Sequence, residues 1–345
     1  MISYQTSAPG APLIEVESKT PEPQGSEVLI KTIACGVCHS DIHMHEGVFD
    51  LGGGKQLEVG REGMVLGHEI FGEVIALGPD AQDAEIGDRR VVFPWIGCGE
   101  CAACKRGDEQ LCTPGCALGI AHAGGFADHV MVPHSRYLFD KGDVMDSLAA
   151  TYACSGLTAY GALKKIGKLH EGDDIVIIGA GGVGMMAIQI ARALGMDPIV
   201  VDIDDDKLEA ARALGVNRSY NSSELQTAKD IRKTTGGAYA ALDFVGAEAS
   251  VSYGLGCLRK GGMLIIVGLY GGSLTLPIPF IPMNARIIQG SYVGGLEDMA
   301  ELMAMVREGK IAPIQITERP LKEANQALID LKAGNVRGRQ VLINA

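Results

Sequence analysis

The hydrophobic rhythm of the chain changes partway along. Over residues 26–35 ("SEVLIKTIAC") and 69–77 ("EIFGEVIAL") apolar positions alternate or run unbroken between glycines and prolines, which predicts strands. Residues 86–93 ("IGDRRVVF") and 125–133 ("GFADHVMVP") predict two further short strands. This first part reads as β-rich and loop-rich, with glycines at its turns. From residue 154 the spacing shifts. The segment 173–195, "DDIVIIGAGGVGMMAIQIARALG", is a strand-length apolar run and a glycine turn, followed by apolar positions recurring as on a helix. "PIVVDID" (198–204) is a second strand and "DKLEAARALG" (206–215) a helix closed by glycine. "YAALDFVG" (239–246), "AEASVSYGLGCL" (247–258) and "GGMLIIVGL" (261–269) continue the alternation. The tail predicts helices over 296–308 and 322–333 and a last strand, "RQVLIN".

Strands alternating with helices imply a parallel sheet covered on both faces. The expected fold is therefore α/β: a doubly wound domain at 154–289, inserted between the two parts (1–153 and 290–345) of a β-rich domain.

A length of 345 residues suits two domains. Composition, 47% hydrophobic and 21% charged, suits a soluble globular protein. No apolar run approaches the roughly 18 residues of a membrane span, and "MISYQTSAPGAP" has no secretory pattern. The net charge of −12, without a basic patch, argues against nucleic acid or an anionic membrane as the main partner. Nine cysteines without an export signal point to a cytoplasmic protein. Clustered thiols there read as metal ligands or catalytic groups.

Three clusters carry chemistry. The first is Gly179-Ala180-Gly181-Gly182-Val183-Gly184, between a strand and a helix. Gly179 permits the tight turn, Gly181 lets the backbone approach a pyrophosphate, and Gly184 lets helix and strand pack closely. The helix start offers free N–H groups to the phosphates. Asp202 closes the next strand, where a carboxylate binds the ribose hydroxyls of NAD and repels the 2′-phosphate of NADP. Ile203 follows it, so no arginine there reverses the choice. The plainer reading is that Asp202 only begins a turn.

The second cluster is Cys98, Cys101, Cys104 and Cys112, a C-x2-C-x2-C-x7-C loop suited to a closed, structural zinc site. Disulfides and an iron–sulfur cluster are the alternatives, and Cys116 competes as fourth ligand. The third is "CGVCHSDIH" (35–43), with two thiols, two imidazoles, a hydroxyl and a carboxylate. Its spacing alone leaves open a metal site, a Cys35–Cys38 redox pair or a polar loop.

Six segments in order, "CGVCHSDIH" (35–43), "LGHEIFGEV" (66–74), "CGECAACKRGDEQLC" (98–112), "CSGLTAY" (154–160), "GAGGVG" (179–184) and "GRQV" (338–341), resemble those of the zinc-dependent medium-chain alcohol dehydrogenases, in particular bacterial tetramers. The resemblance spans essentially the whole chain. It implies a GroES-like catalytic domain with a Rossmann NAD-binding domain, and two zinc ions per chain. Cys38, His68 and Cys154 would hold the catalytic zinc, with water or substrate as fourth ligand, and Cys98, Cys101, Cys104 and Cys112 the structural one. Glu69 would lie beside the catalytic zinc and Asp41 would orient His68. Ser40 would take the substrate proton, which passes through the cofactor ribose to His43. The resemblance places His39 and Arg339 at the pyrophosphate, Thr158 near the nicotinamide, Val267 and Gly268 at its amide end, and Lys207 with Asp202 among the other cofactor contacts.

The implied reaction is reversible hydride transfer between a primary or secondary alcohol and NAD+, giving aldehyde or ketone. Phe49, Trp95, Leu118 and Tyr292 are candidate pocket walls and suggest an apolar substrate, aromatic ones included. The alternatives are a non-catalytic dinucleotide-binding protein of the same fold, a zinc-free enone or quinone reductase, and a polyol dehydrogenase. Cys154 argues against the last, because some polyol enzymes carry a carboxylate there. The short chain between Cys112 and Gly124 resembles tetrameric rather than dimeric members, and the apolar edge 272–282 ("GSLTLPIPFIP") is a candidate contact between copies. The segment before "GHE" lacks a proline common in the family, so its loop is expected to differ.

Overall fold

The computed structural model describes residues 1–113, 115–223 and 227–344. They form two compact units. The first comprises Met1–Phe49, Glu58–Leu157 and the chain from Gly294 onward. Its main sheet has seven strands. The central strand, Val28–Gly36, is buried along nearly its whole length because it has neighbours on both sides. It runs antiparallel to Glu69–Leu77 on one side and to Arg339–Ile343 on the other. The register sets Gly36 opposite both Glu69 and Val341. Three strand ends therefore meet at one place, which carries Cys38 and His68 just outside the strands and Arg339 as the first residue of its own.

Two local structures complete that place. The helix His39–Glu46 begins at Cys38 and stops at Gly47, whose φ of 80° is the left-handed turn that glycine adopts freely. The helix Asp146–Thr151 runs into a wider π-helical turn, Tyr152–Gly156, before helical winding resumes at Leu157. Such one-turn bulges recur at functional sites.

The second unit comprises Asp50–Leu57 and Thr158–Val293. Its main sheet has six strands, all parallel, in the spatial order Arg218–Asn221, Ile199–Asp202, Ile175–Ile178, Ala238–Asp243, Leu258–Ile266, Ile287–Gly290. The inner strands are continuous Ile/Val runs buried on both faces. Val176, Ile178, Ile199 and Val201 pack with Val251 and Leu255 of the helix Glu248–Cys257. The order reverses beside Ile175–Ile178. In open sheets of this kind ligands bind at such a reversal, outside the carboxyl ends of the strands.

The pattern-based strands at 86–93 and 125–133 shorten to Arg89–Val92 and His129–Val132. Strands at Ile14–Glu17 and Lys55–Glu58 were not expected from the pattern. Both are largely exposed, so no buried face imprints an alternation on their sequence. No helix among the described residues is long and apolar enough to cross a membrane.

Candidate metal centre and cofactor turn

Cys38, His68 and Cys154 are all buried, and their sulfur and nitrogen donors lie within 4.8 Å of one another. Each arrives on a different element: the start of a helix, the residue before a strand, and the π-helical turn. Both ring nitrogens of His68 are buried without a hydrogen bond among the described residues, and only Nδ1 has a carboxylate near it. The Cys38 thiol is held well below its ordinary range by its contact with Cys154 and by the nearby imidazole, against burial. The same contact and burial push Cys154 up. Two buried thiols beside an unpartnered imidazole nitrogen make a donor set that a zinc ion fits. The metal displaces the thiol protons and satisfies the nitrogen.

Asp41 organises two of the three donors. It is fully buried, and its Oδ2 accepts the Cys38 amide at 2.8 Å while Oδ1 accepts the Gly67 amide at 3.1 Å. Oδ1 also lies 3.3 Å from His68 Nδ1. One carboxylate thus fixes both chain segments and leaves Nε2 as the outward donor. Gly67 is required here: its φ is 89°, and a Cβ would collide with Phe126 and come within 2.7 Å of Cys35 Sγ. Asp41→Asn replaces one acceptor oxygen with an amide facing N–H donors. It is expected to weaken zinc binding about 10- to 100-fold, measured by competition with a chromophoric chelator. An unchanged affinity would remove Asp41 from this role.

Glu69 is also fully buried and forms an ion pair with Arg339. Its Oε1 accepts the Ser155 amide at 3.2 Å, tying the π-helical turn to the strand ends. Arg339, expected at the pyrophosphate, is buried with its guanidinium on this carboxylate. Trp95, expected as a pocket wall, is 4% exposed. Its indole N–H donates to Ala153 O at 3.0 Å and its ring centroid lies 5.4 Å from that of His68. The sequence carried no signal for this support of the turn that bears Cys154.

The four-cysteine loop brings Cys98, Cys101, Cys104 and Cys112 into a second donor group within 4.8 Å, and Cys116 is not part of it. All nine cysteines are free thiols. Backbone amides point at the sulfurs: Cys98 N–H to Cys112 Sγ at 3.3 Å and Cys101 N–H to Cys98 Sγ at 3.4 Å. The Cys104 amide and thiol hold the Cys101 thiol down at about 6. Four thiols with amide donors turned toward them suit a tetrahedral zinc site without an open position. Buried Glu109, which sequence reasoning missed, fastens the loop. Its carboxylate accepts the Gly97 amide at 3.1 Å and the Tyr137 hydroxyl at 2.7 Å, and it pairs with Arg136 at 3.1 Å.

In the second unit Gly179 adopts φ 93°, and a Cβ on Gly184 would collide with Gly179 O, which accounts for two glycines of the turn. Gly181 has open space beside it and precedes the helix Gly182–Ala193, which includes Val183. Asp202 Oδ2 accepts the Ala180 amide of that turn at 2.7 Å and Oδ1 accepts the Asp204 amide at 3.0 Å. Lys207 Nζ lies 3.9 Å from Asp204 Oδ2. Thr158 is half-buried, as are Val267 and Gly268 just after the strand Leu258–Ile266.

On the helix His39–Glu46, His39 is exposed, while Ser40 and His43 are half-buried. His43 stacks on Phe49 with ring centroids 4.4 Å apart, and burial lowers its pKa against the charges of Glu46 and Cys38. Leu118 is buried and Tyr292 is exposed.

A two-unit protein with a buried three-donor metal site and a dinucleotide turn defines a class of metal-dependent dehydrogenases. A family model of the alcohol dehydrogenase GroES-like domain matches residues 24–143, and one of the zinc-binding dehydrogenases matches residues 182–308. The chain belongs to the zinc-dependent medium-chain alcohol dehydrogenase family. An NAD-dependent alcohol dehydrogenase of Sulfurisphaera tokodaii is 39% identical over 345 aligned positions, 97% of each chain. The alcohol dehydrogenase of Aeropyrum pernix superposes with a TM-score of 0.88 at 29% identity over the full length of both chains. Acetophenone reductase from Geotrichum candidum, solved with NAD, gives a TM-score of 0.88 at 28% identity, over 99% of this chain and 97% of that one.

Proposed function

We propose that this chain is an NAD-dependent alcohol dehydrogenase that interconverts a primary or secondary alcohol and its aldehyde or ketone at Cys38, His68 and Cys154. The observation that carries the reading is the buried donor set with His68 Nε2 unpartnered. Cys98, Cys101, Cys104 and Cys112 hold the second, structural zinc. Residues 1–153 and 290–345 are assigned to the catalytic domain and 154–289 to the NAD-binding domain, whereas the compact units divide a few residues later, after Leu157 and after Val293, so that Cys154 falls with the catalytic part.

When bound, zinc supplies a Lewis acid that lowers the pKa of an alcohol hydroxyl, and NAD+ supplies the hydride acceptor. The chain's residues do the rest. Asp41 fixes the tautomer and orientation of His68. Ser40 Oγ accepts the hydrogen bond of the substrate hydroxyl and, as it takes that proton, gives up its own toward His43. His43, three residues on and on the same side of the helix, carries the proton to solvent. Burial keeps its imidazole neutral near pH 7, so it can accept one. The Glu69–Arg339 pair places a second carboxylate beside the donor set without leaving an isolated buried charge. Gly179, Gly181, Gly182, Val183 and Gly184 receive the pyrophosphate, and Asp202 receives the adenosine ribose. Thr158 packs near the nicotinamide, and Val267 and Gly268 line its amide end.

Trp95, whose ring centroid lies 5.4 Å from that of His68, puts apolar surface beside the metal donors, and with Leu118 and Phe49 as further walls the pocket would favour apolar alcohols, aromatic ones included. Ile278, Met283 and Ile287, all strongly exposed, lie at or near the edge strand Ile287–Gly290 and support assembly of copies into a tetramer. The nine free thiols support a cytoplasmic enzyme.

The test is nicotinamide absorbance with aliphatic, benzylic and polyol substrates, each with NAD+ and NADP+, before and after zinc chelation. Turnover that prefers NAD+ and apolar alcohols and is lost on chelation is expected, from a particle of tetramer mass by light scattering. Activity surviving complete removal of zinc would overturn the mechanism. A zinc-loaded protein that binds NADH and turns over no alcohol would favour the non-catalytic alternative.

A further inference from the structure

Asp243 ends the strand Ala238–Asp243. The register sets it beside Ile178, the last residue before the glycine turn, and beside Ile266, the last residue before Val267 and Gly268. The side chain is fully buried. Its Oδ1 accepts the Val245 and Gly246 amides at 2.9 and 3.2 Å, and Oδ2 accepts Ser250 Oγ at 2.8 Å. Its main-chain carbonyl accepts the amides of both Val267 and Gly268, at 2.9 and 3.0 Å. Two more bonds, Tyr270 N–H to Val245 O and Gly271 N–H to Gly246 O, each 3.2 Å, join the 244–247 turn to the segment after Gly268.

The turn is wedged between two glycines. A Cβ on Gly179 would lie 2.8 Å from Val245 Cγ2, and a Cβ on Gly246 or Gly268 would collide with the backbone of the other segment. Where residues 245 and 246 sit therefore sets how the glycine turn and the 267–268 segment are spaced. Among the described residues the Asp243 carboxylate bonds only to amides and a hydroxyl. A buried carboxylate without a cation costs stability, and an alanine here would orphan two buried amides.

We propose that Asp243 is a positioning residue for the nicotinamide end of the NAD site, holding the 245–246 turn so that Val267 and Gly268 present their backbone to the cofactor's carboxamide. This rests on the assignment of Val267 and Gly268 given under the proposed function.

The test compares dissociation constants of NADH and ADP-ribose, which keeps the adenosine and pyrophosphate and lacks the nicotinamide. Asp243→Ala is expected to weaken NADH about tenfold and to leave ADP-ribose within about twofold. Asp243→Asn keeps an acceptor for both amides and should restore NADH binding to within about threefold. Ser250→Ala removes the third contact of the carboxylate together with the bonds of Ser250 Oγ to the Ala247 amide and carbonyl at the end of the same turn, and keeps the test open if the alanine variant does not fold. It should weaken NADH alone, by about threefold. Equal weakening of both ligands, or unchanged NADH binding, overturns the proposal. A parent protein that fails to bind ADP-ribose would instead break the reading of the glycine turn as the phosphate site.

Discussion

Cys154→Ala is expected to lower kcat/KM for alcohol oxidation by on the order of 10³-fold, the loss of a Lewis-acid contribution of several kcal/mol. Metal analysis should show one zinc fewer per chain. The frame around the residue stays: Trp95 still donates to Ala153 O, and the Ser155 amide still reaches Glu69. The loss should therefore reflect missing sulfur rather than a collapsed turn. Binding of NADH, whose glycine turn belongs to the other compact unit, should stay within about twofold. Turnover within about tenfold of the parent would mean that Cys154 is not a ligand.

The second large effect is on cofactor choice. Asp202→Ser with Ile203→Arg should raise the NADP+/NAD+ ratio of kcat/KM by on the order of 10²-fold, through lost hydrogen bonds to the ribose and a cation for the 2′-phosphate. Ile203 is 72% exposed, so an arginine has room there. Asp202 also bonds to the Ala180 and Asp204 amides, and removing it could disturb the glycine turn itself. Asp202→Asn separates the two roles. It keeps an oxygen for Ala180 and should reduce NAD+ use about tenfold without gaining NADP+. A double variant with intact NAD+ use and an unchanged ratio would show that Asp202 only closes the turn.

What the sequence could convey depended on burial. Val28–Gly36, Glu69–Leu77 and the helix Leu296–Arg307 were legible nearly to the residue because a packed face or core imposes a period. The helix His39–Glu46 has no such stripe, only Ile42 and Met44, and was recognisable solely as a motif. Its place is set by Asp41 contacts to residues far along the chain. The turn Tyr152–Gly156 is buried throughout, so no periodicity separates a π-helical winding from an α-helical one. The Glu69–Arg339 pair joins residues 270 positions apart, and local patterning has nothing to say about it. Cys38, His68 and Cys154 were named together from family resemblance, and their approach to within 4.8 Å is a property of three strand ends and one turn.

The two cysteine sites differ in what holds them before any metal arrives. Cys38 and His68 are already fixed through Asp41 in a closed interior, so metallation there exchanges protons for a cation in a finished fold. The 98–112 loop contributes little buried surface, and for it metallation is part of folding. During maturation the loop metal belongs with chain collapse, while the interior metal is able to enter last. Stripping is expected to keep that order. A chelator reaches the open loop first, and a partly depleted preparation loses its fastening before its chemistry.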